Sequence, residues 1–157
     1  MKLKDKTIIV TGSCTGIGKA IAKLCVEEGA KVVITGLETD LAEETVNELG
    51  PDNAVSLIRD LTEDGCPEEL VSLAKDSFGG LNGVVNNAAF VTWSDIDSTE
   101  RNYFRRVLEV NTIAPLALIQ AALPELSKSS GSIVNIGSAI LCGPVVFSWA
   151  PPGINFL

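Results

Sequence analysis

The chain has 157 residues, about the length of one domain, and 46% of them are hydrophobic at a mean hydropathy of +0.30. That is enough apolar material for a buried core and too much for wholesale disorder. Twelve Lys and Arg against 20 Asp and Glu leave a net charge of −8, which argues against a nucleic-acid partner but leaves room for one phosphate site made of backbone N–H groups. With no histidine in the chain, triads with a His base and His-ligated zinc or haem are excluded.

In chain order, Lys2, Lys4 and Lys6 lead into Ile8-Ile9-Val10, an apolar run too short for a signal peptide. Residues 7–10 read as a strand that ends in a Gly-rich turn. Ile17, Ala20, Ile21, Leu24 and Cys25 then recur at helical spacing as far as Gly29, a C-terminal stop. Residues 31–35 form a β-branched strand. Asp40 with Glu43 three residues on reads as an N-cap and its reciprocal partner, opening a helix that stops at Gly50-Pro51. Residues 54–58 are strand, 67–78 helix with Leu70, Val71, Leu73 and Ala74 offered to the core, and 81–85 strand. A long helical region is expected from about residue 99 to 126, bent at Pro115. A fifth strand covers 132–136. Continuously apolar strands alternating with helices predict an α/β fold, a doubly wound parallel sheet covered on both faces.

The strongest chemical signal is Thr11-Gly12-Ser13-Cys14-Thr15-Gly16-Ile17-Gly18, directly after the first strand and opening the first helix. Gly12 permits a tight turn, Gly16 lets backbone approach a pyrophosphate, and Gly18 lets helix and strand pack closely. The helix N-terminus adds unpaired N–H groups and the positive end of a dipole. Cys14, Cys25, Cys66 and Cys142 form no C-x-x-C pair and read as reduced thiols of a cytoplasmic chain, with Cys25 in the core. Glu43, Glu44, Glu63, Asp64, Glu68 and Glu69 read as solvated faces with no metal-site spacing.

The Thr-Gly-x-x-x-Gly-x-Gly spacing resembles the short-chain dehydrogenase/reductase family, and further motifs match it in order. Asp60-Leu61 follows the third strand, where the family contacts adenine. Asn86-Asn87-Ala88-Ala89 is similar to the family's Asn-Asn-Ala-Gly, with Ala89 in place of Gly. Asn111 falls in the long helix, as the family's catalytic Asn does, and Ser138 follows the fifth strand, like the serine that bonds the substrate oxygen. The resemblance implies a Rossmann-type sheet in the order 3-2-1-4-5 and NAD(P)-dependent interconversion of an alcohol and a carbonyl. Gly12, Ser13, Thr15, Gly16, Ile17, Gly18, Asp60, Leu61, Asn87, Ala88 and Ala89 would bind the dinucleotide, with Ser138 and Asn111 in catalysis. Phe90, Val91, Thr92 and Trp93 fall where the family lines its substrate pocket, and read equally as hydrophobic packing.

Then the pattern departs. The family's Tyr-x-x-x-Lys dyad would put its tyrosine near Ala150 or Pro151 and its lysine near Ile154 or Asn155. The single tyrosine, Tyr103, has Val107 four residues on, and no lysine follows Lys128. Tyrosine near pKa ~10 needs the lysine to act at neutral pH, so catalytic impairment is expected. Residues 1–138 are expected to form the dinucleotide-binding domain and 139–157 a divergent, uncharged tail. The composition of that tail reads as a shifted frame or alternative exon in a C-terminally truncated member of the family. Its Pro144, Pro151, Pro152, Gly153 and Asn155 oppose a spanning helix, so no membrane is expected. Val145-Val146-Phe147 would serve as a substitute strand beside the fifth.

For the cofactor, Thr35-Gly36 stands where NAD-preferring members carry an acid. Leu37 and Thr15 stand where NADP-preferring ones carry basic groups. Glu38 would reach the ribose and repel a 2′-phosphate, so the reading leans to NAD over NADP. The alternative is a non-catalytic nucleotide-binding remnant, or an interaction module that self-associates or pairs with a full-length relative.

Overall fold

The computed structural model describes residues 1–91 and 97–138. Thr92, Trp93, Cys142, the stretch 145–147 and the positions expected for the dyad lie outside the described residues.

Among the described residues, five strands form one parallel sheet in the order β3-β2-β1-β4-β5, the order expected. They are β1 (Thr7–Val10), β2 (Lys31–Gly36), β3 (Ala54–Ile58), β4 (Gly83–Asn86) and β5 (Ser132–Asn135). Helices α1 (Gly16–Glu27), α2 (Thr39–Leu49) and α3 (Cys66–Phe78) connect the first four strands, and α4 (Arg101–Leu108) runs through a π-helical stretch, Glu109–Ile113, into α5 (Ala114–Ser129). The β-branched residues of β1 and β2 explain the centre of the sheet. Ile9, Val10, Val32, Val33 and Ile34 are wholly buried, at about 1.5–3 kcal/mol of apolar burial per side chain. Ile8, Val10, Val32 and Ile34 pack beneath α1 and α2 with Ala22, Cys25 and Ala42. On the other face, Ile9, Val33 and Val84 pack with Leu70, Val71 and Ala74 of α3 and Leu118, Ala122 and Leu126 of α5.

Several expectations change in detail. The stripe of α1 is rotated: Gly18, Ala22 and Cys25 are buried, while Ile17 and Leu24 face outward at 68% and 59% exposure. Asp40 does not cap α2. The N-cap is Glu38, without a side-chain capping bond, and Asp40 sits inside the first turn, where its charge still favours the helix dipole. Leu81 precedes β4 as a buried anchor instead of starting it. The bend expected at Pro115 is taken up by the π-helical stretch, in which the Ala114 N–H donates to the Glu109 carbonyl, five residues back. Proline brings no N–H to the carbonyl four residues before it, so a widened turn resolves the mismatch. Pro124 inside α5 is a second interruption.

Coverage on both faces holds for β1, β2 and β4 and not for β5. All four β5 residues are exposed in the described structure. The run Arg101–Ser129 is long and apolar enough to cross a membrane by length and composition alone, with 17% of its most apolar window buried. Its inner face carries Ala114, Leu118, Ala122 and Leu126, packed into the core, which is how a globular helix uses such a stripe.

Candidate functional site

The carboxyl ends of β1 and β4 converge on the Gly-rich turn. Gly12 and Gly16 have φ of +61° and +57°, a region that disfavours any side chain. A Cβ on Gly12 would stand 2.9 Å from the Ala88 Cα. One on Gly18 would run into the Gly12 carbonyl oxygen and lie 2.5 Å from Asn87 Nδ2. A Cβ on Gly16 would meet nothing within 4 Å. Gly12 and Gly18 are therefore packing glycines, and Gly16 turns bare backbone to open space. Thr15, Gly16 and Ile17 are exposed at this mouth. Thr15 is the N-cap of α1 and makes no side-chain capping bond, and the first turn holds no acid. The first-turn N–H groups have no intrahelical partner, so the arrangement suits an anionic oxygen.

A hydrogen-bonded frame holds the turn open. Thr11 Oγ1 accepts from the N–H groups of Asn87 and Ala88, both at 3.0 Å, and donates to the Val85 carbonyl at 3.4 Å. Asn87 Nδ2 donates back to the Thr11 and Gly12 carbonyls at 2.9 and 3.1 Å. Ser13, expected to touch a ligand, is instead wholly buried. Its Oγ donates to the Val10 carbonyl at 2.5 Å and accepts from the Thr35 N–H at 3.1 Å, while its own N–H donates to the Thr35 carbonyl at 2.9 Å. Ala89 is exposed and its φ is not positive, so the family's glycine is not required there by backbone conformation.

At the end of β3, Asp60 Oδ1 accepts from Thr62 N–H at 2.9 Å and Thr62 Oγ1 at 2.7 Å, and Oδ2 pairs with the Arg106 guanidinium at 2.5 Å. Burial pushes the Asp60 carboxyl up, but the Thr62 and Arg106 donors outweigh it and hold the group below its ordinary value. Leu61 lies beside it, part-buried against the α3 side of the core. Arg106 is a site residue that sequence reasoning missed. The contact spans 46 positions, and no local pattern announces it.

Asn111 sits in the π-helical stretch. Its Oδ1 accepts from the Phe90 N–H at 2.8 Å and its Nδ2 donates to the Phe90 carbonyl at 3.0 Å. Both ends of the amide are thus committed to the loop after β4. Ser138 follows β5 and is exposed. β5 pairs with β4, with Asn135 opposite Asn86, so Ser138 and Asn87 leave the sheet at the same carboxyl edge. A cavity of about 10 Å³ lined by Thr11, Leu61, Asn86, Ala88 and Pro115 lies in the floor beneath, room for about one water.

At the end of β2, the exposed Glu38 carboxylate folds back to accept from the Leu37 N–H at 3.3 Å. Cys14 is buried in the turn facing this strand end. Burial first, and then the Glu38 charge, push its thiol above the ordinary range.

These features match known proteins closely. An uncharacterized oxidoreductase of Staphylococcus aureus strain MW2 is 39% identical over 137 residues, covering 87% of this chain and 59% of its own length. A short-chain dehydrogenase/reductase described as a glucose/ribitol dehydrogenase from Brucella melitensis superposes with a TM-score of 0.86 at 28% identity, over 92% of this chain and 62% of that one. A blue fluorescent protein from a metagenomic library, solved in complex with NADPH, superposes at 0.82 with 28% identity, over 89% of this chain and 58% of that one. The chain thus spans about six tenths of the length of these relatives. Residues 6–147 match the short chain dehydrogenase family, and with that match, the sheet order and the framed Gly-rich turn in agreement, the chain belongs to the short-chain dehydrogenase family of oxidoreductases.

Proposed function

We propose that residues 1–138 bind NAD or NADP along the carboxyl edge of the sheet, with the adenosine-pyrophosphate half held well and the nicotinamide half poorly. The observation that carries this reading is the uncapped N-terminus of α1 beside Gly16, whose bare backbone faces open space within a frame fixed by Thr11 and Asn87. A bound nicotinamide would supply the hydride acceptor or donor. Gly12, Thr15, Gly16, Ile17 and Gly18 would receive the pyrophosphate on backbone N–H groups and helix dipole. Asp60 and Leu61 would meet the adenine, Asp60 through the acceptor capacity that Arg106 leaves on Oδ2. Ser13 supports the turn from below, and Asn87, Ala88 and Ala89 form the floor of the cleft.

For chemistry, Ser138 would orient the oxygen of a small carbonyl or alcohol substrate, and Asn111 would act as a positioning residue through Phe90. The residues standing where a tyrosine and lysine are needed, Ala150 or Pro151 and Ile154 or Asn155, cannot exchange a proton near neutral pH. Turnover by this chain is therefore impaired, and the substrate is left to a binding role. The described cysteines, Cys14, Cys25 and Cys66, are free thiols, consistent with a reducing, cytoplasmic setting. The test is to mix dialysed protein with NADH or NADPH and a panel of aldehydes and ketones. No loss of reduced-nicotinamide absorbance above background is expected, and enzyme-level turnover would contradict the impairment.

A second reading, association with another copy or a full-length relative, is favoured by one observation. Ile133, Val134 and Ile136 at the β5 edge are exposed together with Ile113, Leu116 and Leu123 on the α5 side. An uncovered apolar strand edge is a pairing template.

A further inference from the structure

Helix α4 brings no side chain to the core. None of its eight residues is buried, and neither core cluster contains one of them. An isolated helix shorter than about 12 residues is marginal in water, so α4 depends on how it is fastened. At its carboxyl end it runs into the π-helical stretch, where Asn111 holds the N–H and the carbonyl of Phe90 at 2.8 and 3.0 Å. Arg105 turns back within the helix, donating to Asn102 Oδ1 at 3.1 Å. Among the described residues, Arg106 is the α4 side chain that reaches across to the loop after β3. Its Nη1 donates to Thr62 Oγ1 at 2.7 Å and its Nη2 to Asp60 Oδ2 at 2.5 Å, while Thr62 Oγ1 donates onward to Asp60 Oδ1 at 2.7 Å. One arginine thus clasps a helix without a core to the carboxyl end of β3.

We infer that α4 is a ligand-sensitive tether: a ligand at the β3 end tightens the Arg106 clasp, and α4 carries that tightening through the π-helical stretch to Asn111 and the Phe90 loop across the cleft. This rests on the reading of the cleft as a dinucleotide site. The Arg106 and Asp60 side chains are 36% and 27% exposed, so water screens the pair in the free protein. A ring seated against them excludes that water and strengthens the attraction. It does not have to displace the arginine, because a carboxylate oxygen accepts two hydrogen bonds and Arg106 takes one acceptor site on Oδ2. A short helix with no buried side chain opens locally, without global unfolding, so a firmer clasp shows directly as rarer opening. Reciprocity then requires that removing the clasp weaken the ligand by a similar factor.

The test uses adenosine 5′-monophosphate (AMP), which has the adenine and one phosphate but lacks the nicotinamide half that would lie near Phe90. Amide hydrogen exchange of the full chain is followed residue by residue by NMR, and AMP affinity by calorimetry. Saturating AMP should slow exchange about five-fold across Arg101–Leu108, the scale of a modest coupling between sites, and should slow the Phe90 N–H as well. Amides in the last turn of α5, which leads into the amino end of β5, serve as the unaffected reference. In Arg106→Met, α4 should exchange faster without ligand, both responses to AMP should be lost, and AMP should bind about five-fold more weakly. AMP binding that leaves α4 or Phe90 exchange unchanged, or slowing that survives in Arg106→Met, overturns the inference while leaving the dinucleotide site standing. Should Arg106→Met fail to fold, the exchange of the unaltered protein decides. No binding of AMP to the unaltered protein overturns both.

Discussion

Asn87 donates to two successive carbonyls, Thr11 and Gly12, and Gly18 passes within 2.5 Å of its Nδ2 when given a Cβ. Asn87→Ala should therefore cost about 2 kcal/mol in urea unfolding, two hydrogen bonds at roughly 1 kcal/mol each. Asn87→Asp should cost more, because a carboxylate would then face two carbonyl oxygens. At Asp60 the expectation concerns pH. Its folded pKa is depressed, so its contribution is fully present above the unfolded value of about 3.9 and is lost as pH falls through the folded one. Arg106→Met should cost about 1 kcal/mol at neutral pH, given the partial exposure of the pair. That difference should be lost as pH falls below the unfolded value of about 3.9 and through the lower folded one, with the Asp60 carboxyl of the variant titrating higher by NMR. Asp60 and Asn111 were legible in sequence because the family motifs name them. Their partners were not, since Arg106 lies 46 positions from Asp60 and Phe90 lies 21 from Asn111, and such contacts exist only after the sheet has assembled.

The strands were legible from β-branched runs, and helix ends from the glycines Gly29 and Gly50, both with positive φ. The start of α2 was not. A Thr-Asp pair and a neighbouring Glu offer competing caps, and the helix begins two residues earlier than Asp40 as N-cap would set it. Pro124 was also overlooked, although it removes a hydrogen bond in the middle of α5. Pro124→Ala should raise stability by up to ~3 kcal/mol, the penalty of an interior helical proline, read as a higher denaturant midpoint. At β5, exposed residues stand where a covered parallel strand would be apolar and buried. Val134→Lys should reduce self-association in light scattering without lowering the unfolding midpoint, since the side chain is 48% exposed. A fall in stability at constant oligomeric state would contradict an associating edge.

For the molecule as a whole, the parallel pairing followed from strict strand–helix alternation and right-handed crossovers. The order β3-β2-β1-β4-β5 was instead implied by the family resemblance of the Gly-rich turn, since alternation alone fits more than one doubly wound order. Function divides along the same sheet. The β1–β2–β3 side carries the Gly-rich turn, Glu38 and Asp60, which under the proposed function hold adenosine and pyrophosphate. The β4–β5 side carries Asn111 and Ser138 but no tyrosine and lysine at the required spacing. The most direct measurement is titration calorimetry of the full chain with NAD and with ADP-ribose, which lacks the nicotinamide. Binding energy drawn from the adenosine-pyrophosphate half predicts comparable affinities, within about three-fold. A strong preference for intact NAD, or no binding of either ligand, would contradict it.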